Sequence, residues 1–229
     1  KRITPTFGLS ATAGYHHTDG SYDNITTGKK VDVLDEGYAR LAFVWQVAPQ
    51  WRLRLNTMLD KADQGGYPYA RWDVATNTVS PISYNRRSSY ERLISSTGFN
   101  AHYADHRLAF DAQTALHIVD DDQRIDQDFS ADERFFVTNR VNQLLLSQEF
   151  TLKSNHRGPY QWIVGAMGMH QRIENTVNTQ YLAQKLDRPA TAHLPTSALA
   201  VYHQSSYNLW RPRLAFASIL NGRATLIER

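Results

Sequence analysis

From Trp51 to Asp60 apolar and polar side chains alternate without a break in their facing. Trp51, Leu53, Leu55, Thr57 and Leu59 fall on one side of an extended chain, and Arg52, Arg54, Asn56, Met58 and Asp60 on the other. The same period governs "YARLAFVWQV", where Ala39, Leu41, Phe43, Trp45 and Val47 oppose Arg40, Ala42, Val44 and Gln46. In "HRLAFDAQTALHIV" Leu108, Phe110, Ala112, Thr114, Leu116 and Ile118 oppose Ala109, Asp111, Gln113, Ala115 and His117. Weaker versions run through "FGLSATAGYHH", "LISSTGFNAHY", "VNQLLLSQEFTLKS", "YQWIVGAMGMHQ", "TSALAVYHQSSYNL" and "RPRLAFASIL". Together these predict about nine strands, long enough to match the roughly 9 to 11 residues that cross a bilayer at a tilt.

The connections alternate in length. Ala48 to Gln50, Ala104 to Asp105, Asn155 to Gly158 and Trp210 to Arg211 are tight, whereas 19–36, 61–89, 120–139 and 174–196 are long. Short turns at one end and long loops at the other mark an antiparallel up-and-down transmembrane barrel, with the turns in the periplasm and the loops outside the cell. A compact soluble domain rarely holds several long structureless connections. Turn length also predicts register. A two-residue turn at Ala104–Asp105 sets Phe99 opposite Phe110, Ala101 opposite Leu108, His102 opposite Arg107 and Gly98 opposite Asp111. A three-residue turn at 48–50 sets Trp45 opposite Leu53, Phe43 opposite Leu55 and Gln46 opposite Arg52. Trp45, Trp51, Trp162 and Trp210 lie beside short turns with Tyr103, Tyr160 and Tyr207, as expected of amphipathic rings at a membrane interface. Trp72 alone lies in a long loop.

Composition removes other classes. The 229 residues lack cysteine, so there is no disulfide framework, thiolate metal site or thiol nucleophile. A net charge of +3 is made from scattered basic and acidic residues, which leaves no stripe for nucleic acid. No run approaches the roughly 18 apolar residues of a membrane helix, and a mean hydropathy of -0.51 is compatible with a barrel, whose strands face lipid on one side only. The nucleophile elbow, the HExxH zinc motif and the P-loop are absent. Asp111 and His117 share a facing but lie three steps of alternation apart, too far for direct contact. The chain reads as a non-enzyme with no cofactor.

Several stretches carry a resemblance: "GYHHTDGSYDNITTGKKVD" (14–32), "DKADQGGYPYA" (60–70), "DQRIDQDFSADERFFVTNRVNQLLLSQEFTLKS" (122–154), "YQWIVGAMGMHQ" (160–171) and "AVYHQSSYNL" (200–209). In order and spacing they resemble the barrel of TonB-dependent outer-membrane receptors of the iron-complex type. That resemblance implies a barrel of about 22 strands, a plug domain in its lumen, and nutrient import driven by the inner-membrane TonB complex. On this expectation residues 1–229 are an internal part of the barrel domain of a bacterial outer-membrane receptor. The plug, the TonB box through which the TonB complex would act, and the closing strands lie outside the sequence. An isolated open sheet could not persist in lipid with unpaired edges.

A receptor's informative residues face the lumen or lie in loops. Tyr67, Tyr69, Arg71 and Trp72 combine ring surface with positive charge, and Tyr84, Arg86, Arg87 and Tyr90 repeat the mixture at the far end of the same connection. Such a surface suits an anionic metal chelate, a ferric siderophore above all, through charge-assisted bonds and cation–π contacts. Asp120, Asp121, Asp122, Asp126 and Asp128 invite comparison with a calcium loop but lack its glycine and distal glutamate. His16 and His17 point to opposite faces. "NIT" at Asn24 matches a glycosylation acceptor. The competing architectures are a soluble carbohydrate-binding β-sandwich and an outer-membrane barrel of another class, a porin or a barrel protease.

Overall fold

A computed structural model describes the backbone of residues 3–210 and 214–227, and side chains as far as Tyr207. All of its regular structure is β. In chain order the strands are β1 (Phe7–Thr18), β2 (Asp23–Asn24), β3 (Lys29–Lys30), β4 (Leu34–Ala48), β5 (Trp51–Gly65), β6 (Trp72–Asp73) and β7 (Thr78–Val79). There follow β8 (Ser89–Ala104), β9 (Leu108–Asp126), β10 (Phe135–Ser154), β11 (Tyr160–Tyr181), β12 (Leu186–Trp210) and β13 (Leu214–Ile227). Nine of them form a single antiparallel sheet in the order β1-β4-β5-β8-β9-β10-β11-β12-β13, an up-and-down wall that does not close on itself. The pairs β2–β3 and β6–β7 are small hairpins within long connections. Among the described residues no second sheet packs on this wall, so the sandwich architecture is excluded.

The ladder carries the predicted facing across all strands. Leu9, Phe43, Leu55, Phe99, Thr114, Gln148 and Gly168 lie in register along one face. On that apolar face Leu41, Leu146, Phe150, Leu199 and Val201 are exposed. Its few polar side chains answer one another: Thr57 and Thr97 are 2.9 Å apart, and Thr114 donates to Gln148. Aromatic rings crowd the short-turn end of this face, with Trp51 against Tyr103 at 5.1 Å and Tyr160 against Tyr207 at 6.5 Å. Trp210 lies outside the described side chains. The opposite, polar face carries Arg40, Arg54, Asn100, Asp111, Gln113 and Glu149.

The first hairpin has the expected register: Trp45 meets Leu53 and Gln46 meets Arg52, with a bulge near Val47 absorbing the odd residue. The second does not. Ala104 pairs with Ala109 and Phe99 with Thr114, so four residues separate the last pair of the hairpin, the fourth of them, Leu108, already pairing with Ser154 of β10, and the pairing is displaced by four residues from the predicted one. The cause is local. The Asp105 carboxylate accepts the N–H groups of Leu108 and Arg107 and the Tyr103 hydroxyl, which hold its pKa down at about 2 and make a wider turn favourable. His102 consequently faces Asp111 rather than Arg107.

The long connections are also shorter than alternation suggested. β9 runs on to Asp126 and β10 starts at Phe135, while β11 and β12 extend to a four-residue turn after Tyr181. In these extensions, such as "NTVNTQY" and "LDRPATAH", both faces are polar, so the contrast that reveals a strand in sequence disappears although the ladder continues. Lys185, with φ of 52°, closes that turn.

One cross-strand device fixes the polar face. Tyr202 of β12 lies over Gly165 of β11 and reaches β10, where its hydroxyl is 2.8 Å from Thr151 Oγ1 and donates to Glu149 at 2.9 Å. A Cβ on residue 165 would overlap the ring. In the full-length protein, Gly165→Val is expected to expel Tyr202 and lower stability by about 1–3 kcal/mol, and Tyr202→Phe by about 1 kcal/mol. Urea unfolding midpoints check both; a Gly165→Val protein as stable as the parent would refute the packing.

Candidate functional site

At the long-connection end the loops contain what the wall lacks, a small core. Val31, Ile82 and Tyr84 are buried together with Ala70 against them. The hairpin β2–β3 reaches the 66–88 connection through a short ladder: Ile25 N–H donates to Ile82 O at 2.9 Å, Thr26 Oγ1 to Ser83 O at 2.6 Å, and Asn24 Nδ2 to Tyr84 O at 2.8 Å. Asn24 is only 1% exposed. Its amide oxygen accepts the N–H groups of Thr26 and Thr27, so this side chain builds the turn and links two loops. At Gly65 the backbones meet so closely that a Cβ would strike the Val31 carbonyl.

The other side of the 66–88 connection is clasped by residues 126–135. Asp126, also 1% exposed, accepts the N–H groups of Asn85 at 3.1 Å and Arg86 at 3.0 Å, and its own N–H donates to Ser88 Oγ. Burial pushes its pKa up; the Arg86 N–H opposes the rise, and the charge of Asp128 reinforces it. Arg71 Nε donates to Asp128 O at 2.9 Å, and the Tyr69 ring lies 5.2 Å from Phe129. The Arg86 guanidinium sits over Phe136 at 5.7 Å and 3.9 Å from Glu133.

The seven residues singled out in the sequence therefore divide. Tyr67, Tyr69 and Trp72 are all exposed; the first two rings pack together at 5.6 Å, and Trp72 is 54% exposed on β6. Arg87 is exposed, with Asp63 at 4.0 Å. Arg71 and Arg86 tie the connection to its neighbour. Tyr84 is a core residue at 4% exposure, its phenol pushed up to about 12 by burial first and then by Asp126 and Asp32. Opposite Arg87 stand two cations that sequence patterning did not single out: Lys29 and Lys30 line with it a cavity of about 530 Å³, together with Asn24, Asn85 and Ser88, floored by Val31 and Tyr84. Lys30 is paired with Asp23 at 2.8 Å, while Lys29 has no ion-pair partner among the described residues. The "GKK" of a hairpin tip, Gly28 at φ +66°, was the available signal.

The aspartates do not gather. Asp121 holds Arg92 at 3.1 Å on the polar face, Asp122 points to the other side, and Asp128 accepts the N–H groups of Ser130, Arg134 and Phe135. Among the described residues no three acidic or histidine groups are placed for a metal. His17 bridges Asp35 at 2.8 Å and Asp19 at 3.0 Å, and these two, Asp35 first, raise its pKa. On the polar face Asp111 is 2.7 Å from His102, and His117 is 2.7 Å from Ser96, so Asp111 and His117 serve different partners.

The sequence matches no protein family and no curated protein. Among solved structures the fold is similar to the ferric yersiniabactin uptake receptor FyuA from Yersinia pestis, with a TM-score of 0.73 and 12% identity, covering 98% of this chain and 39% of the receptor. It is also similar to the RagAB peptide transporter, with a TM-score of 0.60 and 11% identity, covering 96% of this chain and 30% of that one. The likeness is one of fold: the chain has the architecture of a barrel wall and spans well under half of either protein.

Because Asp126 has a raised folded pKa, its contribution to the clasp is greatest when it is protonated and falls as pH rises through that value. Asp126→Asn keeps an acceptor for both backbone N–H groups without a buried charge, and the 66–88 connection should be at least as protease-resistant as in the parent at neutral pH. Asp126→Ala should weaken the clasp by about 2 kcal/mol, raising local opening roughly 30-fold. Limited proteolysis of the full-length protein separates the two; equal cleavage of parent and Asp126→Ala would show that the clasp does not form.

Proposed function

We propose that this chain is part of the wall of a TonB-dependent outer-membrane receptor that captures an anionic metal chelate, a ferric siderophore above all, at its long-connection end. The observation that carries the reading is the uncovered apolar face. It is bounded by aromatic rings at the short turns and gives way to charged residues beyond Leu59, Ile118 and Leu144. From Trp51 to Leu59 is about 27 Å of strand, or roughly 20 Å of membrane thickness at the usual tilt, close to the apolar band of such barrels. A water-soluble protein has no reason to leave so much apolar surface in a continuous belt. The similarity to a siderophore receptor and to a peptide transporter supports the barrel reading; the charge of the loop cavity favours an anionic cargo over a peptide.

In this reading Trp72, Tyr67 and Tyr69 offer ring surface to the chelate, and Lys29 and Arg87 draw its negative charge. Arg71, Arg86 and Tyr84 hold the connection in shape. A clasped loop loses little entropy on binding, which favours capture of a dilute ligand before energy arrives from the TonB complex.

Orientation is tested with epitope tags at Asn77 and Asn155 on intact cells. The Asn77 tag is expected to stain and the Asn155 tag to stain only after permeabilisation; the reverse would overturn the assignment. Ligand capture is tested in the full-length receptor at normal surface abundance, without energisation. Trp72→Ala and the pair Lys29→Glu with Arg87→Glu should each weaken binding of the cognate chelate more than tenfold, about 2 kcal/mol. Affinities within twofold of the parent would remove this end from the site.

A further inference from the structure

Away from the loops, the polar face of the wall holds a hollow of about 500 Å³ that spans β1, β4, β5, β8 and β9. Register makes it. One cross-strand row there runs Ser10, Ala42, Asn56, Gly98 and Ala115, so short side chains form the floor, and a Cβ on Gly98 would meet nothing. In the next row Arg40 and His117 stand three strands apart. His117 Nδ1 is 2.7 Å from Ser96 Oγ. Arg40 has no carboxylate partner among the described residues; its guanidinium lies over the Tyr38 ring at 5.4 Å. Among the described residues that line the hollow, none is acidic.

The cationic character continues toward the short turns. Arg54 and Arg52 share the face of Arg40, Arg54 opposite Val44 and Arg52 opposite Gln46, whose Oε1 accepts from Arg52 Nε at 3.2 Å. Successive side chains on one face are about 6.7 Å apart along a strand, so the three guanidinium groups mark out roughly 20 Å of the wall. In the rows from Arg52 to Arg40 the polar face of β1, β4, β5 and β8 carries no aspartate or glutamate. The carboxylates at that level begin on β9 and β10 and are engaged, Asp111 by His102 at 2.7 Å and Glu149 by the Tyr202 hydroxyl at 2.9 Å. Glu36 and Asp60 lie above Arg40 on the same face, so the strip is separate from the cations of the loop cavity. Guanidinium groups left without carboxylates on one surface concentrate anions, and such groups select anions in water-filled pores.

Resting on the reading of this face as the inside of a receptor barrel with an anionic cargo, we propose that the strip is a second anion-binding site, which receives the oxyanion groups of the cargo after their release from the loops. Arg40 with Asn56, Thr12 and Ser10 forms its upper end, where guanidinium, amide and hydroxyl groups all donate to oxyanion oxygens. Arg54 and Arg52 carry the site toward the short turns. Glu36 and Asp60 oppose spontaneous passage of an anion from one site to the other.

The test uses the full-length receptor in a planar bilayer, with urea in the bath to displace whatever fills the lumen. It reads the reversal potential in a potassium chloride gradient and the block of current by citrate. The parent is expected to pass chloride in preference to potassium and to be blocked by citrate. Arg40→Gln with Arg54→Gln should lower the chloride preference at least twofold and raise the citrate concentration for half block at least tenfold. The corresponding double lysine variant should keep both properties and controls for loss of folding. Unchanged chloride preference or citrate block in the glutamine variant overturns the proposal. So does a glutamine variant that conducts without urea where the parent is closed, which assigns the arginines to holding a plug instead. A conducting parent pore that citrate does not block refutes this site alone, whereas a protein that forms no pore refutes the barrel reading beneath it.

Discussion

The ladder of backbone hydrogen bonds between consecutive strands is the constraint on which the rest of this structure depends. From β4 to β12 every wall strand is paired on both sides. A sheet one layer thick has no core behind it to hold its strands in place. Stability must come from the ladder and from rows of side chains that meet across it, such as Phe110 against Phe150 and Thr57 against Thr97. Where water is excluded, an unpaired backbone group costs several kcal/mol, so the paired wall fits the environment that its apolar face requires. The outer edges of β1 and β13 are the places where further strands would continue the same ladder.

The long-connection end follows a different rule. There the chain has left the ladder and must find partners for backbone groups elsewhere, and it does so with buried polar side chains: Asn24 for one pair of loops, Asp126 for another. Each acts between segments distant in sequence, and the two flank the same core of Ile82 and Tyr84. The connections thereby behave as one shaped surface rather than independent strings, and the same connection can expose aromatic rings and contribute Arg87 to a cationic cavity.

This division also explains what could be read from the sequence. Facing was legible because alternation is local, and Leu53, Leu55, Phe99, Phe110 and Leu116 all share the apolar side. The upper halves of β11 and β12 were not, since water on both sides removes the contrast on which the reading relies. Tyr84 looked like a binding residue because its loop is rich in tyrosine and arginine; only its contact with Val31, more than fifty positions earlier, makes it core. Asn24, which matched a modification signal, is instead enclosed. Lys29 and Lys30 drew no notice because two lysines at a hairpin tip look like ordinary solvated charge until the fold sets Arg87 beside them.

The displaced pairing around Asp105 bears on how such a wall tolerates insertions and deletions. Its offset of four residues left every side chain on its expected face, because facing repeats every two residues. Turns can therefore lengthen or shorten by even counts while the rows slide past one another and the two surfaces keep their character. An odd change inverts everything downstream unless a bulge takes up the difference, as near Val47. Natural variation in the short turns should thus be quantised in steps of two, with bulges as its only half-steps, whereas the clasped connections opposite are constrained by which loops they must still reach.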